Sequence, residues 1–236
     1  MGKRAVILAG GLGTRLSPYT VVLPKPLMPI GDYPILEVVV RQLAHHKFER
    51  ITMAVNHQVD IIQAFFGNGS KWNIEIDYSI EDRPLNTMGP LKLINDLPED
   101  FLVMNGDILT DLDYGKFFNG HVKNGSIFTI ASSLRKEESE FGVLEVDKQG
   151  FLRGFEEKPV RRSQVSMGIY MLNKKVLQYV PENNAYGFDE LMANLLGTKK
   201  KIKIENHKGY WLDIGRPDDY AQAIREFSML KGKLLR

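Results

Sequence analysis

The chain has 236 residues, 43% hydrophobic and 25% charged, enough to bury the core of one large α/β domain. Its 31 basic and 29 acidic residues leave a net charge of +2 with no long block of either sign. That argues against nucleic acid or an anionic membrane as partner, and Lys199-Lys200-Lys201 reads as a solvated face. The absence of cysteine excludes disulfides and Cys-based zinc sites; with no run near the ~20 apolar residues of a membrane span, the expectation is a soluble, cytoplasmic protein.

In chain order, apolar β-type runs at Arg4 to Leu8, Ile51 to Val55 and Phe101 to Met104, and the alternation Ile74-Glu75-Ile76-Asp77-Tyr78, predict strands. Between them, helical periodicity covers Ile35 to His45 after Pro34, Val59 to Phe66 before Gly67-Asn68-Gly69, and Gly89 to Leu97 before Pro98. Strand and helix in alternation predict a doubly wound, mostly parallel sheet. The second half differs. Gly142 to Val146 and Phe151 to Phe155 flank Asp147-Lys148-Gln149-Gly150 as a hairpin, Ser166 to Leu172 reads as a strand, and helices return at Phe188 to Leu196 and Asp218 to Leu230. No Pro/Gly/Ser linker divides the chain and no internal repeat is visible, so one domain over residues 1–236 is expected.

The first strand runs into Gly10-Gly11-Leu12-Gly13-Thr14-Arg15, which sets several unobstructed backbone N–H groups at a strand's C-terminal end, a geometry that holds phosphates. It is not a dinucleotide fingerprint, because Leu16 stands where glycine or alanine is needed, and no Gly-Lys-Ser/Thr Walker ending occurs. Ten residues on, the prolines of Leu23-Pro24-Lys25-Pro26 stiffen the backbone that presents Lys25. The histidines at 45, 46, 57, 121 and 207 form no metal-binding spacing.

The loop Gly10 to Leu16 followed by Leu23 to Leu27 resembles the signature of the sugar-1-phosphate nucleotidylyltransferases, the nucleotide-sugar pyrophosphorylases. "PLNTMGPL" at 84–91, "NGD" at 105–107, "FGV" at 141–143, "EEKP" at 156–159 and "YWLDIGRPDDY" at 210–220 agree in order and spacing. The resemblance implies a Rossmann-like α/β domain, a mixed sheet with helices on both faces and a small antiparallel elaboration. It divides the chain into a nucleotide-binding part over about 1–135, a sugar-phosphate-binding part over about 136–215 and a C-terminal helix at 216–236. The implied reaction is NTP plus sugar 1-phosphate giving NDP-sugar and pyrophosphate, with Mg2+, as part of nucleotide-sugar and polysaccharide biosynthesis.

Such a transfer needs positioning and charge neutralisation rather than a side-chain nucleophile, since the attacking phosphate oxygen is already ionised. By resemblance Arg15 clamps the β- and γ-phosphates, and Lys25 offsets charge growing on the α-phosphate. Asp107, directly after a strand, and Asp213, after Tyr210-Trp211-Leu212, form a carboxylate pair suited to a hard cation such as magnesium. Leu8, Gly10, Gly11, Gly13, Thr14, Pro84, Asn86, Thr87 and Gly89 are the implied nucleotide contacts; Gly142, Glu157 and Lys158 are the implied sugar-phosphate contacts. Asn86 and Met88 stand where relatives commonly carry glycine and alanine, which leaves the base open. GTP with mannose 1-phosphate or a manno-configured heptose 1-phosphate is the leading pair, for the short chain without a β-helix tail and its "WLDIGRPDDY" ending look most like guanylyltransferases. Thymidylyl- and uridylyltransferases remain alternatives, and the resemblance is compatible with a homodimer. Two rivals come from other classes. An inactive nucleotide-sugar sensor would have no need for Arg15, Lys25, Asp107 and Asp213 together; a glycosyltransferase would need Asp111-Leu112-Asp113 to act as a metal motif.

Overall fold

The computed structural model describes residues 2–198 and 200–235, so Lys199 of the predicted basic face lies outside the described residues, while Lys200 and Lys201 are exposed. The elements in order are β1 (Lys3–Leu8), β2 (Pro29–Ile30), β3 (Tyr33–Pro34), α1 (Ile35–His45), β4 (Phe48–Val55), α2 (Val59–Phe66), β5 (Glu75–Ile80), β6 (Asp100–Asn105) and β7 (Ile108–Thr110). They continue with α3 (Tyr114–Asn124), β8 (Phe128–Glu138), β9 (Val143–Val146), β10 (Leu152–Glu156), β11 (Val160–Asn173), α4 (Phe188–Leu196), β12 (Ile202–His207), β13 (Trp211–Asp213) and α5 (Pro217–Leu234). Seven strands form one sheet in the order β12-β8-β11-β6-β1-β4-β5, with β11 alone running against its neighbours. The fold is α/β with a mostly parallel, mixed sheet, as the alternation predicts.

Successive side chains of a strand point to opposite faces, and here both faces are buried. Ala5 and Ile7 of β1 and Leu102 and Met104 of β6 face the core formed with α1, α2 and α3. Val6, Phe101 and Val103 face the other layer, where Leu191 and Leu195 of α4 pack. A third cluster holds Leu16, Ile30, Leu109, Leu212 and Ile214 beneath Ala223 and Phe227 of α5. It fixes the two-stranded ribbon of β7 and β13 against the glycine loop.

One predicted helix does not form. From Gly89 only a 3-10 turn, Gly89–Leu93, exists. The N–H groups of Met88 and Gly89 both donate to the Tyr186 carbonyl, at 2.9 and 3.1 Å. At the far end Arg4 donates to the Asp96 carbonyl at 3.0 Å, and Arg50 reaches the Asp96 carboxylate at 2.7 Å. Both ends are therefore held by partners distant in sequence, in an extended path that apolar spacing alone does not show. The predicted hairpin does form, as β9 and β10. It sits at the end of an arm made by the outer, exposed parts of β8 and β11, which run on past the sheet.

Candidate active site

From β1 the chain passes through β4 to β5 on one side, then returns to β6 on the other. Open α/β sheets bind ligands where the strand order reverses in this way. A cleft of about 460 Å³ lies there, walled by the loop after β1, by Asn105-Gly106-Asp107 at the end of β6 and by the segment 84–87.

The glycine loop takes its shape from Gly13, whose φ of 63° is left-handed, and from the 3-10 turn Thr14–Leu16 that follows. Leu16 is buried and its N–H donates to the Gly13 carbonyl at 2.9 Å, which leaves Thr14 and Arg15 exposed toward the cleft. Thr20 Oγ donates to the same carbonyl at 2.8 Å. A Cβ on Gly13 would come within 2.9 Å of Thr20 Cγ2 and 3.1 Å of Lys25 Cβ, so this loop and the lysine segment pack as one unit.

Lys25 Nζ donates to Oδ2 of Asp107, with the two side chains only 11% and 16% exposed. The other oxygen, Oδ1 of Asp107, is buried and accepts no hydrogen bond. Asp213 ends β13 opposite Ile108 of β7, and the next N–H, from Ile214, donates to the Asp107 carbonyl at 3.1 Å. The ribbon thereby makes two aspartates over a hundred residues apart neighbours. Although Asp213 is exposed at its surface, crowding by the surrounding chain, then the charge of Asp107, raises its carboxyl above the ordinary range; Lys25 and Arg15 pull it down. An unpartnered buried oxygen beside a second carboxylate that resists ionising is a donor set short of positive charge. These residues fit a hard divalent cation. Among the described residues no third His, Cys, Asp or Glu joins them, so the rest of a coordination shell would come from water and phosphate.

At the other end of the cleft, Leu8, Gly10, Gly11, Pro84, Asn86 and Thr87 all line the wall. Asn86 has φ 61°, a left-handed conformation that asparagine tolerates better than most residues; it thus does the backbone work of a glycine. Thr87 Oγ accepts the Phe188 N–H at 2.8 Å and ties the segment to α4. Met88 is 0% exposed, part of the α4-side core, and Gly89 is buried beside Asn184 and does not line the cleft. Sequence reasoning missed Glu81 and Asn105, both on the wall. Asn105 lies within the NGD segment but carries no implied role there, whereas no spacing marks Glu81; only its place at a strand end does.

The residues implied for the sugar side lie on the arm. Gly142 and Glu157 are together, since a Cβ on Gly142 would stand 3.0 Å from Oε2 of Glu157. Lys158 is adjacent with φ 45°, and Glu157 and Lys158 are exposed. None of the three lines the cleft. Asp111 and Asp113 have other tasks: Asp111 accepts from the Tyr210 N–H at 2.7 Å, and Asp113 caps α3 by accepting from Lys116 N–H at 2.8 Å. The glycosyltransferase reading loses its metal motif.

A family sequence model described as Nucleotidyl transferase matches residues 4–228. The chain belongs to this family. It is 32% identical over 242 residues to a UTP–glucose-1-phosphate uridylyltransferase of Synechocystis sp., covering 94% of this chain and 62% of the relative. It is 33% identical over 226 residues to a mannose-1-phosphate guanyltransferase of Yarrowia lipolytica, covering 92% and 62%. The chain thus spans about 62% of the length of these curated relatives. Among solved structures, HddC from Yersinia pseudotuberculosis superimposes with a TM-score of 0.74 at 30% identity over 96% of this chain and 100% of that one. The same Yersinia protein has been solved with GMP-PN, and aligns at 29% identity with a TM-score of 0.74 over the same shares of the two chains.

Proposed function

We propose that this nucleotidyl transferase joins an NTP and a sugar 1-phosphate into an NDP-sugar with release of pyrophosphate. The reading is carried by one observation: the glycine loop, Arg15 and the Lys25–Asp107 pair share one cleft at the sheet's reversal point. An ionised oxygen of the sugar phosphate attacks the α-phosphorus, and the bond from that phosphorus to the bridging oxygen of pyrophosphate breaks as the new P–O bond forms. No side chain has to accept a proton. What the chain supplies is position and charge. N–H groups of residues 10–15 and the Arg15 fork hold the terminal phosphates, and Lys25 sets its ammonium where charge grows on the α-phosphate. Asp107 and Asp213 would hold magnesium, which supplies neutralisation of the departing pyrophosphate when bound. Gly142, Glu157 and Lys158 on the arm take the sugar hydroxyls and its phosphate, and Leu8, Gly10 and the 84–87 segment take the base.

The substrate pair we favour is GTP with mannose 1-phosphate or a manno-configured heptose 1-phosphate. Relatives named mannose-1-phosphate guanyltransferases and the Yersinia protein solved with GMP-PN support guanine; the uridylyltransferase relative supports uracil as the alternative. Pyrophosphate release by the purified protein with magnesium tests this, across GTP, UTP, dTTP, CTP and ATP crossed with mannose, heptose and glucose 1-phosphates. Turnover with GTP and a manno-configured phosphate is expected. Turnover with UTP or dTTP and glucose 1-phosphate would move the assignment to the alternative; a silent grid with nucleotide-sugar still bound would mark a sensor.

A further inference from the structure

The ribbon that brings Asp213 to Asp107 is only three residue pairs long: Trp211 with Thr110, Leu212 with Leu109 and Asp213 with Ile108. A two-stranded ribbon of that length is marginal in water without outside support. At one end it holds two carboxylates as neighbours, closed by the Ile214 N–H on the Asp107 carbonyl at 3.1 Å. Like charges so placed push the strands apart. What keeps the ribbon shut lies at its other end, in side chains to which the proposed reaction gives no task.

There the turn His207-Lys208-Gly209-Tyr210 wraps the carboxylate of Asp111. Oδ1 of Asp111 accepts the Tyr210 N–H at 2.7 Å and stands 2.9 Å from His207 Nε2. The same ring nitrogen is 3.3 Å from the Tyr210 carbonyl, so it faces two acceptors and bears the ring proton. Gly209 completes the wrap, since a Cβ there would collide with Asp111 Oδ1 and come within 2.7 Å of His207 Nε2. The Tyr210 carbonyl also takes the Asp111 N–H at 3.2 Å and the hydroxyl of buried Thr110 at 2.7 Å. Two further contacts anchor this end to the body of the fold. His207 ends β12 and pairs with Ser133 of β8, which fastens Asp111 to the edge of the main sheet, and Gln42 of α1 donates to the Thr110 carbonyl at 2.7 Å. The His207 and Asp111 side chains are 13% and 22% exposed, so water competes little for their contact.

We infer that Asp111 and His207 are positioning residues: they lock the far end of the β7–β13 ribbon and so hold Asp213 beside Asp107 before any cation binds. The inference rests on the proposed reading of those two aspartates as the pair that holds magnesium. Neither Asp111 nor His207 touches substrate or the reacting atoms, and their effect passes along the backbone. From Tyr210 to Asp213 the strand covers about 10 Å, with nothing between but the three pairs of the ladder. Release of the far end frays that ladder, and repulsion between the carboxylates then favours the open ribbon. A cation that binds the closed form alone loses apparent affinity in proportion to the closed fraction.

Two measurements on His207→Ala, both made without nucleotide, test this. Hydrogen–deuterium exchange over residues 107–111 and 210–214 reads the ribbon itself, and titration with Mn2+, which takes the same oxygen ligands as magnesium, reads the site by electron paramagnetic resonance. Exchange in the ribbon should quicken while that of β1 and β6 stays as it was, and Mn2+ affinity should fall about 10- to 100-fold. His207→Gln, whose amide can still donate to Asp111, should recover most of both. Met88→Ala, which weakens a remote part of the core, should leave Mn2+ affinity unchanged and so separates positioning from general loss of stability. Unaltered ribbon exchange in His207→Ala overturns the inference. A loosened ribbon with Mn2+ affinity intact overturns it too, as does an equal loss of affinity in Met88→Ala. A ribbon that loosens in a protein whose unaltered form never takes up Mn2+ would sink the magnesium reading of Asp107 and Asp213 and leave the lock standing.

Discussion

Gly13 is the residue on which the glycine loop turns. Its φ of 63° is disfavoured for any L side chain, and its Cβ position is already occupied by Thr20 and Lys25. Gly13→Ala should lower stability by about 1–2 kcal/mol and displace Lys25 with it, so both the melting temperature and pyrophosphate release should drop; an unaffected rate would show that the loop does not place the lysine. Lys25 itself does two things, since it partners Asp107 and faces the cleft. If Lys25 offsets charge on the α-phosphate as proposed, Lys25→Ala should cut turnover by on the order of 10²–10³-fold. Measured KM for the NTP should move far less than kcat, because on the proposed reading Arg15 and the loop amides would still hold the triphosphate. A parallel rise in KM with kcat intact would instead make Lys25 a simple binding group.

Among the elements, α1, α2 and α4 have the bounds that periodicity and their flanking proline and glycine predict. α5 continues one turn past the predicted Leu230, to Leu234, because Leu234 is buried in the third cluster. α3 escapes sequence reading, since Gly115 and Gly120 dilute its pattern; what holds it is the Asp113 cap and buried Tyr114, Phe117 and His121. β8 escapes too, because it is buried on both faces from Phe128 to Ser132 and then exposed along the arm, so it never alternates. Met88 shows how an element changes the meaning of a residue. Its place in the signature suggests a role in base selection, yet its side chain is in the core between the sheet and α4. Met88→Ala should cost about 2–5 kcal/mol in denaturant unfolding and leave the order of preference among nucleotides as it was. A changed preference with stability intact would return Met88 to the base pocket.

For the molecule as a whole, two histidines tie stability to acid. Burial lowers the pKa of His121, against the pull of Asp100, and lowers that of His46, against Asp113. Both are neutral in the fold at a pH where an unfolded chain's histidines begin to take up protons, near 6.5. The unfolded state then binds more protons, so stability is fully present above pH 6.5 and is lost as pH falls through the folded values. Melting temperatures measured from pH 7.5 down to 5.5 should fall, and His121→Asn should make that fall shallower. A slope identical in the variant would mean that His121 contributes nothing to it. No helix among the described residues is long and apolar enough to cross a membrane.

The amino-acid sequence determined the parallel half of the sheet, three helices to the residue, the hairpin and the turn of the glycine loop, because each depends on neighbours in the chain: side-chain period, glycine at a positive φ, proline at a helix start. It also marked the residues of the signature, Arg15, Lys25, Asp107 and Asp213, by motif. Tertiary structure decided what those residues are to each other. The Lys25–Asp107 pair and the approach of Asp213 through the β7–β13 ribbon each join segments that are distant in the chain but meet at the reversal point of the sheet. Local periodicity carries no information about such meetings, since burial and charge pairing between remote segments depend on which strands are neighbours. That order is set by the packing of the entire sheet.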